Sequence, residues 1–158
     1  MTEMSPKAKS FTEEQVVKAL TDKFQDKVKD AKIKPRRIVL DADRSVLLEM
    51  CKTLKESYEF EQCSCVSGVD MKTFFQVVYH ISSYANKMVI QITVDIPRDT
   101  PEVDSITPLY GGANWHEREA YDMFGIIFKG HPRMERILLP QDYQFFPLRK
   151  DYEVGRRI

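Results

Sequence analysis

Cysteine is scarce in this chain and poorly placed for chemistry. Three occur in 158 residues, Cys51, Cys63 and Cys65. There is no CxxC spacing and no fourth thiol to complete the ligand set that iron–sulfur clusters generally use. An odd number of thiols is also a poor disulfide framework, so all three read as small core residues, with Cys63 and Cys65 on one face of a strand. Net charge is missing as well. The 24 basic residues cancel the 24 acidic ones, which removes the bulk attraction that nucleic acid or an anionic membrane would exploit. No apolar run approaches the roughly 18 residues that suggest a membrane span, and no apolar segment follows the lysine-bearing N-terminus as in a secretory signal. Gly111-Gly112 stands without a GxGxxG pattern around it, His116-Glu117 lacks the second histidine of HExxH, and no Ser, Cys or Lys sits in a nucleophile setting. These absences describe a soluble, cytoplasmic chain with no nucleic-acid partner, no direct membrane insertion and no cofactor of its own.

What is present is one domain's worth of patterned sequence. Residues 1–10 are polar and read as a flexible N-terminus. Thr12 then caps a helix, Gln15 completes a capping box, and Phe11 is placed to staple onto Val16. Val16, Val17, Leu20, Phe24 and Val28 recur at helical spacing, and Pro35 ends the element. A short strand over 36–40 follows. Asp41 or Asp43 can cap the next helix, whose apolar positions are Val46, Leu47, Met50, Cys51 and Leu54. From Phe60 the period becomes two. Ser67-Gly68-Val69-Asp70 offers a turn, Phe75, Val77, Tyr79 and Ile81 share one face, Asn86-Lys87 supplies a second turn, and Met88, Ile90, Ile92, Val94 and Ile96 form the cleanest strand. Short connections imply antiparallel neighbours, while the β–α–β crossover adds a parallel pair. The fold class is α+β, a mixed sheet with helices packed on one face over residues 11–128.

Beyond Pro97 the chain reads as loop until the densest run in the sequence, Trp115-His116-Glu117-Arg118-Glu119-Ala120-Tyr121-Asp122-Met123-Phe124-Gly125. It interleaves ionisable groups with aromatics that favour burial, and buried charges have to be paired. Asn114 is an N-cap candidate with Glu117 at the capping-box position, Arg118 and Asp122 stand at i,i+4, Glu119 and Asp122 can share one arginine, and Gly125 closes the helix. Residues 129–158 have no period but are rich in Arg, Tyr, Phe and Pro. They form an extended C-terminal arm that wraps either this domain or a partner.

The motif resembles a known signature. Glu117-Arg118-Glu119, Asp122, Phe124-Gly125, Gly130-His131-Pro132, Arg136 and the Ile137-Leu138 beyond it, with Trp115 and Tyr121 alongside, are similar to the signature of the thirty-kilodalton subunit family of respiratory complex I. The same family occurs in related dehydrogenases and membrane-bound hydrogenases. One position departs: Glu135 stands where a basic residue or proline is usual, with Arg136 immediately after it. The resemblance implies a non-redox subunit in the hydrophilic arm of an ion-translocating membrane oxidoreductase, with these motif residues at a subunit interface. It implies two partners, a large subunit related to the hydrogenase large chain, which helps form a quinone or nickel–iron site, and a small iron–sulfur subunit. Iron–sulfur clusters and a flavin, deazaflavin or nickel–iron site belong to other subunits. The chain would sit peripherally on the inner face of the cell membrane, and the arm would dock on the large subunit. The chain is shorter than many complex I members, which leans the reading towards a membrane-bound hydrogenase or an archaeal reduced-deazaflavin dehydrogenase. The competing reading, a stand-alone acid/base enzyme using Glu119, Asp122 and His131, explains less, because capping and ion pairing already occupy most of these groups. A metal site at His116, Glu119 and His131 has no spacing that demands it.

Overall fold

The computed structural model describes residues 10–154. The flexible stretch expected at residues 1–10 lies outside them except for Ser10, as do Arg156 and Arg157 of the arm. Helix α1, Glu13–Phe24, begins as its sequence dictates: the Thr12 hydroxyl accepts from the Gln15 N–H and the Gln15 side chain accepts from the Thr12 N–H. Phe11 turns to Tyr58, edge-on at 5.0 Å between ring centres. The helix stops at Phe24, short of its apolar periodicity. After one tight turn at Gln25–Lys27, the chain enters strand β1, Val28–Lys34, and Arg36 at φ 59° turns it back into β2, Arg37–Ala42. Val28 fits both periods, and its pairing with Ala42 decides for the strand. Lys29, Asp30, Lys32 and Lys34 keep this edge strand soluble and unattractive to other strands.

Helix α2, Leu47–Tyr58, starts without a side-chain cap, because Asp43 instead accepts from the N–H and hydroxyl of Ser45 to close the preceding turn. Strands β3 (Gln62–Asp70), β4 (Phe74–Ser83) and β5 (Met88–Pro97) complete a sheet of order β1-β2-β5-β4-β3, with β2 and β5 parallel and the other pairs antiparallel. Phe75, Val77, Tyr79, Ile81, Ile90, Ile92 and Val94 are fully buried against the helices, while Gln76, Val78 and His80 stay half-exposed on the other face. Residues 67–70 remain strand; the turn falls at residues 71–73, where Lys72 takes φ 72° and its N–H donates to Asp70. A bulge between Cys63 and Cys65 places Cys63 opposite Ile81 and Cys65 opposite His80. One extra residue inverts the alternation, so the two thiols point to opposite faces rather than the same one.

The expected loop after Pro97 contains strand β6, Glu102–Asp104, paired in parallel with β7, Ile127–Lys129. Three residues each are too few to show a period. Between them runs helix α3, Ala113–Phe124, packed on β3. Gly68 makes that approach possible: a Cβ there would stand 2.7 Å from the Phe124 ring. Gly68→Val is therefore expected to cost about 1–3 kcal/mol by overpacking, read as a lower denaturation midpoint at unchanged m-value.

Candidate functional site

Helix α3 presents its charged residues in different directions. Its first turn carries no side-chain cap, Gly112 occupies the cap position, and Glu117 falls a full turn inside on the buried face. The expected capping box with Asn114 is therefore absent. The Glu117 carboxyl has no exposure. It accepts from the Ile106 N–H at 2.8 Å and contacts the hydroxyls of Ser105 at 2.5 Å and Thr107 at 3.0 Å. Burial pushes its pKa up against the pull of those three contacts. Its role is to hold the loop between β6 and α3 against the helix.

Arg118 pairs with neither Glu119 nor Asp122. Its guanidinium lies 5.1 Å from the Trp115 ring and donates to the backbone carbonyls of Glu135 (3.0 Å) and Arg136 (3.3 Å). An arginine N-terminal to its acid is the weaker i,i+4 orientation, and Asp122 has a better offer. Fully buried, Asp122 takes Arg136 Nη1 at 2.7 Å on one oxygen and three successive backbone N–H groups, from Ile137, Leu138 and Leu139, on the other. Three consecutive amides converging on an anion form a nest. Burial alone would raise this carboxyl, but the Leu138 amide, the Arg136 guanidinium and the Leu139 and Ile137 amides together hold it below its ordinary range.

The arm is clasped at two further places. His131 Nδ1 accepts from the Arg133 N–H, which leaves Nε2 to donate to the Asn114 carbonyl at 3.2 Å, and burial lowers the pKa of the ring. Further on, Leu148 N–H donates to Met123, Arg149 Nε to Phe124, and Lys150 N–H to the buried carboxylate of Asp70. Asp70 also takes Arg98 at 2.7 Å. Burial works against its charged form, yet Arg98 and the Lys150 and Lys72 amides bring it down to about 2. Guanidinium groups and rings alternate along this seam. Arg98 lies over Phe75, Arg149 over Phe75 and Phe146, and Arg136 over Phe146 and Tyr143, at 4.5–5.8 Å. Gly125, at φ 74°, leaves room for the stack, since a Cβ there would meet both Arg149 and Phe146 at 2.7 Å.

Thus the arm is seated on its own domain through Asp151, which pairs with Arg98 at 2.9 Å, while Trp115, Leu138, Phe145, Leu148 and Val154 remain exposed apolar side chains. Tyr121 is half-buried, Phe124 lies beneath Gly68, Gly130 (φ 82°) turns the chain, and Pro132 is exposed. Glu135 forms a surface pair with Arg133 at 2.7 Å, a contact of little energetic weight; only its backbone carbonyl reaches the cluster. Glu119, Asp122 and His131 share no contact, Asp122 has its acceptor sites filled, and no grouping of metal-ligating side chains occurs among the described residues. Sequence reasoning missed Asp70, Arg98, Ser105 and Thr107, because their partners lie 10 to 80 positions away and leave no local signal.

Asp122→Ala should strand Arg136 and three amides in the interior, costing about 3–5 kcal/mol, with new protease cleavage between Pro132 and Lys150 as the direct readout. Asp70 and Asp122 are both depressed, so the stability they contribute is complete above the ordinary aspartate value of 3.8 and is lost as pH falls through their folded values, about 2 for Asp70. Urea midpoints measured towards low pH should fall in the wild type and fall less steeply in Asp70→Asn.

The family model described as "Respiratory-chain NADH dehydrogenase, 30 Kd subunit" matches residues 40–157. A subunit of the F(420)H(2) dehydrogenase of Methanosarcina mazei is 41% identical over 142 residues, covering 87% of this chain and 90% of that protein. A subunit of the NADH-quinone oxidoreductase of Saccharopolyspora erythraea is 41% identical over 124 residues, which is 75% of this chain and 50% of that protein, so the chain spans half of that relative's length. Among solved structures, a chain of the membrane-bound sulfane sulfur reductase, an archaeal respiratory membrane complex, shares the fold with a TM-score of 0.78 at 23% identity, over 90% of this chain and 86% of that one. The trypsin-resistant fragment of Nqo5 superposes with a TM-score of 0.63 at 26% identity, over 75% of this chain and 98% of the fragment. The family match runs from β2 into the arm and takes in every motif residue from Trp115 to Arg136, and the chain belongs to the thirty-kilodalton subunit family of respiratory-chain NADH dehydrogenases.

Proposed function

We propose that this chain is the non-redox thirty-kilodalton-type subunit of an ion-translocating membrane oxidoreductase of the F(420)H(2) dehydrogenase kind, in which motif helix and arm together brace the large subunit. The observation that carries this is where the motif's charge goes. Glu117 and Asp122 are consumed inside the fold and have no path to a substrate, while Trp115, Leu138, Phe145 and Leu148 face outward on the same assembly. Apolar and aromatic side chains on a rigid polar frame suit an obligate interface. The choice of a reduced deazaflavin as electron donor is supported by the relative whose length is matched over 90%. An NADH-quinone oxidoreductase is the second reading, favoured by the identity to bacterial subunits of that enzyme.

In this reading the cofactors lie elsewhere: iron–sulfur clusters and the deazaflavin site belong to other subunits, with the large chain and the small iron–sulfur chain as neighbours. Among the described residues no helix is long and apolar enough to cross a membrane, and the chain is held at the inner face of the cell membrane by its partners. Burial pushes the Cys63 thiol up to about 12 and Cys51 higher still, which suits inert core thiols rather than cluster ligands.

Leu138→Asp and Leu148→Asp should leave the chain folded, because both side chains are already exposed. Each should nonetheless weaken association with the large subunit by about tenfold or more, the worth of one buried leucine. Pull-down titration against the large subunit measures this; unchanged affinity in both variants removes the arm from the interface. The purified chain should be colourless and free of iron by elemental analysis. Turnover of the whole complex with reduced deazaflavin against NADH separates the two readings.

A further inference from the structure

Glu117 differs from the other buried acids in one respect. Asp70 and Asp122 each have an arginine within 2.7 Å, whereas Glu117 is fully buried and its contacts are the Ile106 amide and two hydroxyls, all neutral. The nearest cations by sequence and strand are engaged elsewhere, Arg118 on the carbonyls of Glu135 and Arg136 and Lys129 with Glu102 at the surface. Other groups face it or its surroundings without neutralising it: Cys51 from α2, Cys63 from β3 and Tyr79 from β4, with Asp104 of β6 adding its charge near the Tyr79 hydroxyl.

The hydrogen-bonding pattern tolerates a proton. One carboxyl oxygen faces a fixed donor, the Ile106 N–H, and so is the carbonyl oxygen. The other lies between the hydroxyls of Ser105 and Thr107, each of which can give or take a hydrogen. Thr107 is half-exposed, so its hydroxyl can accept from an acid O–H and turn its own hydrogen to solvent, while Ser105, whose Oγ accepts from the Thr107 N–H, keeps donating to the same carboxyl oxygen. A neutral acid therefore satisfies every member of the cluster, whereas an anion there is a buried charge without a counter-charge, the expensive case.

We propose that Glu117 carries its proton in the folded chain at neutral pH, and that the loop at residues 105–107, with β6 ahead of it, is held to the motif helix by a neutral carboxyl whose ionisation loosens it. The raised folded-state pKa agrees in direction. Its linkage has the opposite sign to that of Asp70 and Asp122: the stability it contributes is complete below the ordinary glutamate value of 4.5 and is lost as pH rises through the folded value. Acid thus loosens the arm and alkali loosens the 105–107 loop at the other side of the same helix.

Side-chain carbon NMR of the uniformly labelled, full-length wild type decides the matter, with the Glu117 carboxyl assigned by through-bond correlation. The expected result is a carboxyl shift that stays at the protonated position at neutral pH and moves only at alkaline pH, together with the Ser105, Ile106 and Thr107 amides. A resonance that titrates in the ordinary glutamate range overturns the proposal. Glu117→Gln provides the second test. It should fold, and its stability should lack the alkaline decline of the wild type. Parallel pH profiles, or a Gln chain that cannot fold although the neutral amide has the same shape, contradict it.

Discussion

The attachment of the arm rests above all on the carboxylate of Asp122. A helix side chain can be buried with a negative charge only if something replaces the water it loses. Here a guanidinium and three successive amides do so, all four supplied by residues 136–139. The carboxylate therefore needs the arm as much as the arm needs the carboxylate. Once residues 136–139 are fixed, Arg136 is in place to stack on Phe146, Phe146 on Arg149, and Arg149 on Phe75 of the sheet. Without that anchor, residues 130–154, which have no helix or strand of their own, would have little reason to adopt one path.

Much of the sheet was legible because alternation is a two-residue signal that survives in a single strand. Phe75 to Ile81 and Met88 to Ile96 read correctly for that reason, as did the capping box of α1. The errors occur where one extra or missing residue changes the phase. The bulge at Cys63–Cys65 inverts a face, and Val28 satisfies helix and strand periods equally until its partner Ala42 is known. β6 and β7 are three residues each, too few for the alternation to repeat.

At the motif the residue types were legible and the partners were not. That Glu117, Arg118 and Asp122 had to be satisfied follows from burial alone. Local pairings along the helix were the natural guess, yet each group chose a partner from another segment: Glu117 the loop before the helix, Arg118 the backbone after it, Asp122 the arm. Long-range choices of this kind are set by tertiary packing, which i,i+3 and i,i+4 spacing does not encode. The resemblance to a family identified the motif without saying which residue holds which.

The central claim is that the motif helix seats the arm within this chain, before any partner arrives. Hydrogen exchange of the Ile137, Leu138 and Leu139 amides in the isolated subunit tests it most directly. Bonded to a buried carboxylate, these three should exchange slowly and together, through an opening shared with the Arg136 contacts. Exchange at the rate of a free peptide in the isolated chain, with protection appearing only in the assembled complex, would show that the partner rather than Asp122 orders the arm.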